Sequence, residues 1–183
     1  MRAFLDWLYR ASGALAAFFL VAICVMVLLQ VGANLIDALL KAFTGEAIGL
    51  VIPSYAEFAG FFLAASSFLA LAYTLRAGAH IRVELLLQRL GKRARFAAEI
   101  WCVGASAAVS LYFTWYTVAL VFESLEFGDL SPGMVPVPLW IPQAAMALGL
   151  AVLAIALVDE LVHLLRGGTP HFAQPDASPA EHE

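Results

Sequence analysis

Residues 11–36 contain no Asp, Glu, Lys or Arg. A helix crossing a bilayer needs about 20 predominantly apolar residues, so this stretch is long enough to span and ties the chain to lipid. A cleavable signal peptide is the competing reading. Its apolar core would be about 7–15 residues, followed by a small-residue cleavage site. The run exceeds that length and lacks a convincing site, so it is expected to be the first transmembrane helix.

Three further runs repeat the pattern at residues 58–75, 100–122 and 139–158, all free of charge. Charged residues make up 13% of the chain and mean hydropathy is +0.88, where soluble domains average about 25% charged. This excludes an ordinary soluble domain, and the length leaves no room for a separate catalytic one. The expected fold is an all-α integral membrane protein with four transmembrane helices at about 11–36, 54–75, 97–122 and 139–165. Residues 1–166 form the membrane domain. The tail 167–183, rich in Gly, Pro and acid, cannot bury enough apolar surface to fold and is expected to be disordered and cytoplasmic.

Six of the ten basic residues crowd into residues 76–95: Arg76, Arg82, Arg89, Lys92, Arg93 and Arg95. Short basic loops stay in the cytoplasm. With Arg2, Arg10 and Arg166, nine basic residues fall on one side of the expected layout and only Lys41 on the other. Both termini are therefore expected inside. Within the cluster, Ile81, Val83, Leu85 and Leu86 alternate with Arg82 and Glu84, which makes an amphipathic cytoplasmic loop between helices 2 and 3.

The connectors carry their own signals. Residues 37–53 include Asp37, Lys41 and Glu46 among Leu39, Leu40 and Phe43, too polar to span and too apolar for a free loop, so they are placed at the outer interface. Ser54 and Glu57 have the spacing of a capping box at the start of helix 2. Gly104 with Ala108, beside Ser106 and Ser110, and Ala145 with Gly149 are small-residue faces for helix packing. Pro132, Gly133, Pro136, Pro138 and Pro142 are expected to prevent a regular helix before about Leu139.

Little here promises catalysis. Glu57 enters an apolar helix at its outer end and could hold a cation or proton, but capping accounts for the same residue. His80 and His163 lie near the inner membrane edge without a spacing suited to haem or metal. Asp159 and His163 stand four apart, as a membrane-edge ion pair would. Ser66 and Ser67 lack a nucleophile's surroundings and are expected to pack helices. Cys24 and Cys102 differ in depth, so two reduced thiols are expected. The basic loop lacks interleaved aromatics, so nucleic acid is not an expected partner.

The segment His80-Ile81-Arg82-Val83-Glu84-Leu85-Leu86 after Arg76, following a helix entered through Glu57, resembles the small membrane subunit of TRAP transporters, the DctQ-like component. The likeness continues at Gly128-Asp129-Leu130-Ser131 and Pro138-Leu139-Trp140-Ile141-Pro142, and it covers residues 8–165. It implies a small permease subunit of a bacterial inner-membrane secondary transporter for organic acids such as dicarboxylates or sugar acids. Such a subunit has no enzymatic activity and no cofactor. Its partners would be a large permease subunit that carries the sodium and substrate sites, a periplasmic solute-binding protein that it helps to dock, and membrane lipid. Glu57, Arg76, His80, Arg82, Glu84, Asp129, Pro138 and Trp140 become subunit-interface or structural candidates. The alternative is a four-helix anchor subunit of a respiratory oxidoreductase holding haem or quinone.

Overall fold

The computed structural model describes residues 2–45, 49–77 and 91–166. Four helices carry the fold: α1 Arg2–Thr44, α2 Tyr55–Arg76, α3 Lys92–Phe127 and α4 Trp140–Leu165. Each is long and apolar enough to cross a membrane, so the chain is an all-α, multi-spanning membrane protein. Residues 78–90 of the amphipathic loop expected between helices 2 and 3, and the tail 167–183, lie outside the described residues, while residues 92–96, expected in that loop, already belong to α3.

The helices form a row. α1 packs on α2, α2 on α4 and α4 on α3, while α1 touches α4 only slightly. α2 and α4 therefore occupy the middle, and α1 and α3 the two edges. Burial follows this order, with α4 the most enclosed span and α1 and α3 the least. Apolar side chains on the edges face outwards, among them Phe18, Leu28 and Trp101. A helix apolar on all sides is ordinary when its solvent is lipid.

With little hydrophobic drive between helices in lipid, close packing and buried polar contacts hold them together. Two serine hydroxyls stitch α1 to α2 in opposite directions. Ser12 of α1 donates to the Leu69 carbonyl, and Ser66 of α2 donates to the Ala16 carbonyl at 3.0 Å. Ser66 is thus a packing residue as expected, and its neighbour Ser67 faces outwards. Between α2 and α4, Gly149 lies so close that a Cβ there would stand 2.5 Å from the Phe68 carbonyl carbon and 2.6 Å from its oxygen. Only glycine permits that approach. Near the Arg76 end, Tyr9, Ala72, Val152 and Ala156 join α1, α2 and α4 in one buried cluster.

The small-residue face of α3 differs from expectation. Its buried stripe is Val103, Ala107 and Ser110, while Ser106 and Ala108 are exposed. Gly104 sits at the stripe's edge, with Leu161 Cδ1 4.0 Å from where its Cβ would be. The helical repeat brings 103, 107 and 110 to one side, and α4 meets that side.

The segment 37–53 also divides differently. Residues 37–44 continue α1, because Ala and Leu favour helix and Asp37 and Lys41 stand four apart, as stabilising pairs do. The helix stops at Gly45, whose φ is +82°, and the chain folds back along it. Gly49 N donates to Asp37 Oδ1 at 2.9 Å, and Ile52 N donates to Gln30 Oε1 at 2.9 Å. At 43 residues α1 is about 64 Å long, against about 30 Å of hydrocarbon, so it runs well past the level where α2 begins. α3 also exceeds its expected bounds of 97–122, ending at Phe127 before Gly128 in the left-handed region.

Candidate functional site

Two polar junctions tie the row together, one at each end, and most described candidate residues belong to them.

At the first, α2 begins without the expected capping box. Ser54 has φ +56° and makes no side-chain cap. Glu57 N and Phe58 N donate instead to the Ser54 main-chain carbonyl, at 3.0 and 3.1 Å. The left-handed backbone at Ser54 turns its hydroxyl towards the α3–α4 connector, where it accepts from Val135 N at 3.0 Å. The Glu57 carboxyl lies beneath Gly133. A Cβ on Gly133 would fall 1.6 Å from Glu57 Oε2, and this oxygen is buried with no hydrogen-bond partner among the described residues.

The connector can reach Glu57 because it is a closed hairpin. Leu130 bridges Pro138 antiparallel, Ser131 N donates to the Val137 carbonyl at 2.9 Å, and Leu139 N donates to the Asp129 carbonyl at 3.0 Å. Ser131 Oγ accepts from Val137 N at 3.1 Å. Asp129 and Pro138 thus act through the backbone, and the Asp129 side chain stays exposed. Trp140 opens α4 and is exposed. Pro142 falls in the first turn of α4, where its missing N–H costs nothing.

Gln30 completes this end and was not anticipated. It is 4% exposed, accepts from Ile52 N, and donates from Nε2 to Asn34 Oδ1 at 3.0 Å. Its signal was present in the sequence. Gln30 and Asn34 are two amides one turn apart in an otherwise apolar run, and polar side chains in a membrane helix find partners.

At the opposite end, Arg76 closes α2 and gathers three helices. Its guanidinium donates to Asp6 Oδ1 of α1 at 2.6 Å, stands 3.9 Å from Asp159 of α4, and lies over the Tyr9 ring at 5.4 Å. Glu160 is buried beside Asp159 in the sequence, at 2% exposed. Asp159, expected to pair with His163 one turn on, also has Arg76 within ion-pair distance. Sequence reasoning singled out Arg76 but not Asp6 or Tyr9, since contacts across 70 residues leave no local pattern. His80, Arg82 and Glu84 lie outside the described residues.

The two junctions join the α1–α2 hairpin to the α3–α4 hairpin. Cys24 and Cys102 are both free. No group of three metal-ligating side chains occurs among the described residues.

Among curated proteins and solved structures the chain has no match. A family model does match: tripartite ATP-independent periplasmic transporters, DctQ component, over residues 46–167. That stretch contains α2, α3, α4, the basic loop and the Glu57–Gly133 junction, two thirds of the chain. Four spanning helices joined by structural polar contacts, with a family match of this extent, place the chain in the DctQ component family of TRAP transporters, as a non-catalytic transporter subunit.

Proposed function

We propose that this chain is the small permease subunit of a sodium-driven TRAP carrier of organic acids, such as dicarboxylates or sugar acids. In this reading it lies in the bacterial inner membrane with both termini in the cytoplasm. It braces the large permease subunit, which holds the sodium and substrate sites, and helps dock the periplasmic solute-binding protein. The family match over residues 46–167 carries this reading. The row of helices supports it, since two broad apolar faces suit a scaffold better than a closed carrier. The buried polar groups Ser12, Ser66 and Gln30 are engaged in bonds that hold the chain together. The nine-to-one distribution of basic residues supports the orientation.

Under this proposal Glu57, Asp129, Pro138 and Trp140 shape the periplasmic end, and Arg76 the cytoplasmic end. His80, Arg82 and Glu84 contact the large subunit or fold back on the bundle. Reconstitution tests the reading. Vesicles holding this chain alone should show no sodium-driven uptake of organic acids. Vesicles holding it with the large subunit, supplied with binding protein, should. Uptake by the chain alone, lost on Glu57→Gln, would make it a carrier and overturn the proposal.

A further inference from the structure

The outward face of α3 carries polar-tipped aromatics at the wrong depth for lipid. Tyr112, Trp115 and Tyr116 are 58%, 75% and 57% exposed, and the rings of Tyr112 and Tyr116 stand 4.6 Å apart. Their neighbours Leu111 and Thr114 line a groove along α4 that runs from Ala151 to Val162, and Gly104 lies against Leu161, so residues 112–116 stand about 12–18 Å further along, level with the middle of α4. These aromatics therefore sit at mid-membrane. Tyr and Trp normally collect at the two interfaces, where the polar tip meets water or headgroups. Half a hydrocarbon core is about 15 Å, too far for a phenol to reach either one.

The side-chain hydrogen bonds in this part of α3 are those of Thr114 and Thr117 to their own helix, at 2.7 Å each. Neither phenol nor the Trp115 indole has a partner among the described residues. Three donors facing hydrocarbon are costly. They call for a surface that offers acceptors, which acyl chains lack and a protein helix provides. One and two turns along the same face, Ala108 and Ala105 are exposed. These small residues would let a second helix backbone come close. Finally, α3 stands at the edge of the row with α4 as its main neighbour.

We propose that the Ala105–Ala108–Tyr112–Tyr116 face of α3, with Trp115 at its rim, is the docking surface for a transmembrane helix of the large permease subunit. That helix supplies hydrogen-bond acceptors at mid-membrane depth. The inference rests on the function proposed above, which provides a permanent membrane partner.

The test uses the full chain co-expressed with a large permease subunit of the same family of transporters. A photo-crosslinking aryl ketone is placed at position 112 or 116, and as a control at position 28 on α1. Tyr112→Phe and Tyr116→Phe are made in parallel, since they remove only outward hydroxyls and spare the α4 contact. Crosslinks to the large subunit are expected from 112 and 116 but not from 28. Each Tyr→Phe change should weaken recovery of the large subunit about three- to tenfold, while this chain's own yield and helicity stay unchanged. If the parent pair co-purifies but 112 and 116 label only lipid or a second copy of this chain, the surface assignment is wrong and the function proposal stands. If the parent pair does not associate at all, the function proposal fails and the surface falls with it.

Discussion

Gly133 covers the carboxyl of Glu57. The missing side chain of one residue makes room for the carboxyl of the other, 76 positions earlier in the chain, and the α3–α4 connector closes onto the start of α2. The contact gives the Ser131-Pro132-Gly133 stretch a structural role, and it explains why Ser54 turns its hydroxyl to Val135 and not to its own helix.

That contact predicts a coupled pair. Gly133→Ala should lower stability by about 1–3 kcal/mol through overpacking against Glu57 Oε2. Glu57→Ala opens the space that the new methyl needs, so the double variant should be more stable than the sum of the two single effects implies. Thermal unfolding in detergent measures all three. Strictly additive effects would show that the two residues do not meet.

Arg76 is expected to matter more than its place at a helix end implies. Arg76→Ala removes a charge-assisted bond to Asp6 and a cation over Tyr9, at a cost of about 1.5–3 kcal/mol. Arg76→Lys should recover only part of this, because a point charge cannot cover Asp6, Asp159 and the ring together. Arg95→Ala, which loses a pair with Glu99 one turn away, should cost less. The same melting assay ranks the three.

Close approach at Gly149 gives a sharper outcome. Gly149→Val places a branched side chain against the Phe68 and Leu69 backbone, so α2 and α4 must separate and the folded yield should collapse. Ser66→Ala keeps the packing and removes one interhelical bond, costing about 0.6–1.7 kcal/mol. Size-exclusion profiles of the two variants distinguish these fates.

Orientation is checked with reporter fusions. A reporter after Arg166, or inserted within residues 77–92, should behave as cytoplasmic, and one near Asp129 as periplasmic. The reverse pattern would invert the proposed topology.

The basic loop yields a partner test. Arg82→Ala or Glu84→Ala should reduce co-purification of the large subunit, since breaking a partly desolvated ion pair costs up to about 3–5 kcal/mol. Arg89→Ala and Lys92→Ala, expected to be solvated or lipid-facing, should cost much less. Equal recovery of all four would leave the loop as a topology signal alone.

The sequence by itself determined the lipid solvent and the four spans. Uncharged runs of bilayer length have few other stable outcomes, because backbone groups in hydrocarbon must bond within their own helix. It also carried the family likeness, in the residues around Arg76, Asp129 and Trp140. Tertiary structure decided the order of the row, which side of α3 meets α4, and how far α1 continues past Asp37. It also decided the partners of Glu57 and Arg76. In a helix apolar on every side, hydrophobic periodicity cannot mark the packed face. That choice falls to close fits such as Gly149 on Phe68, and to single polar bonds such as Ser66 to Ala16. Both depend on residues far apart in the chain, and no local pattern records them.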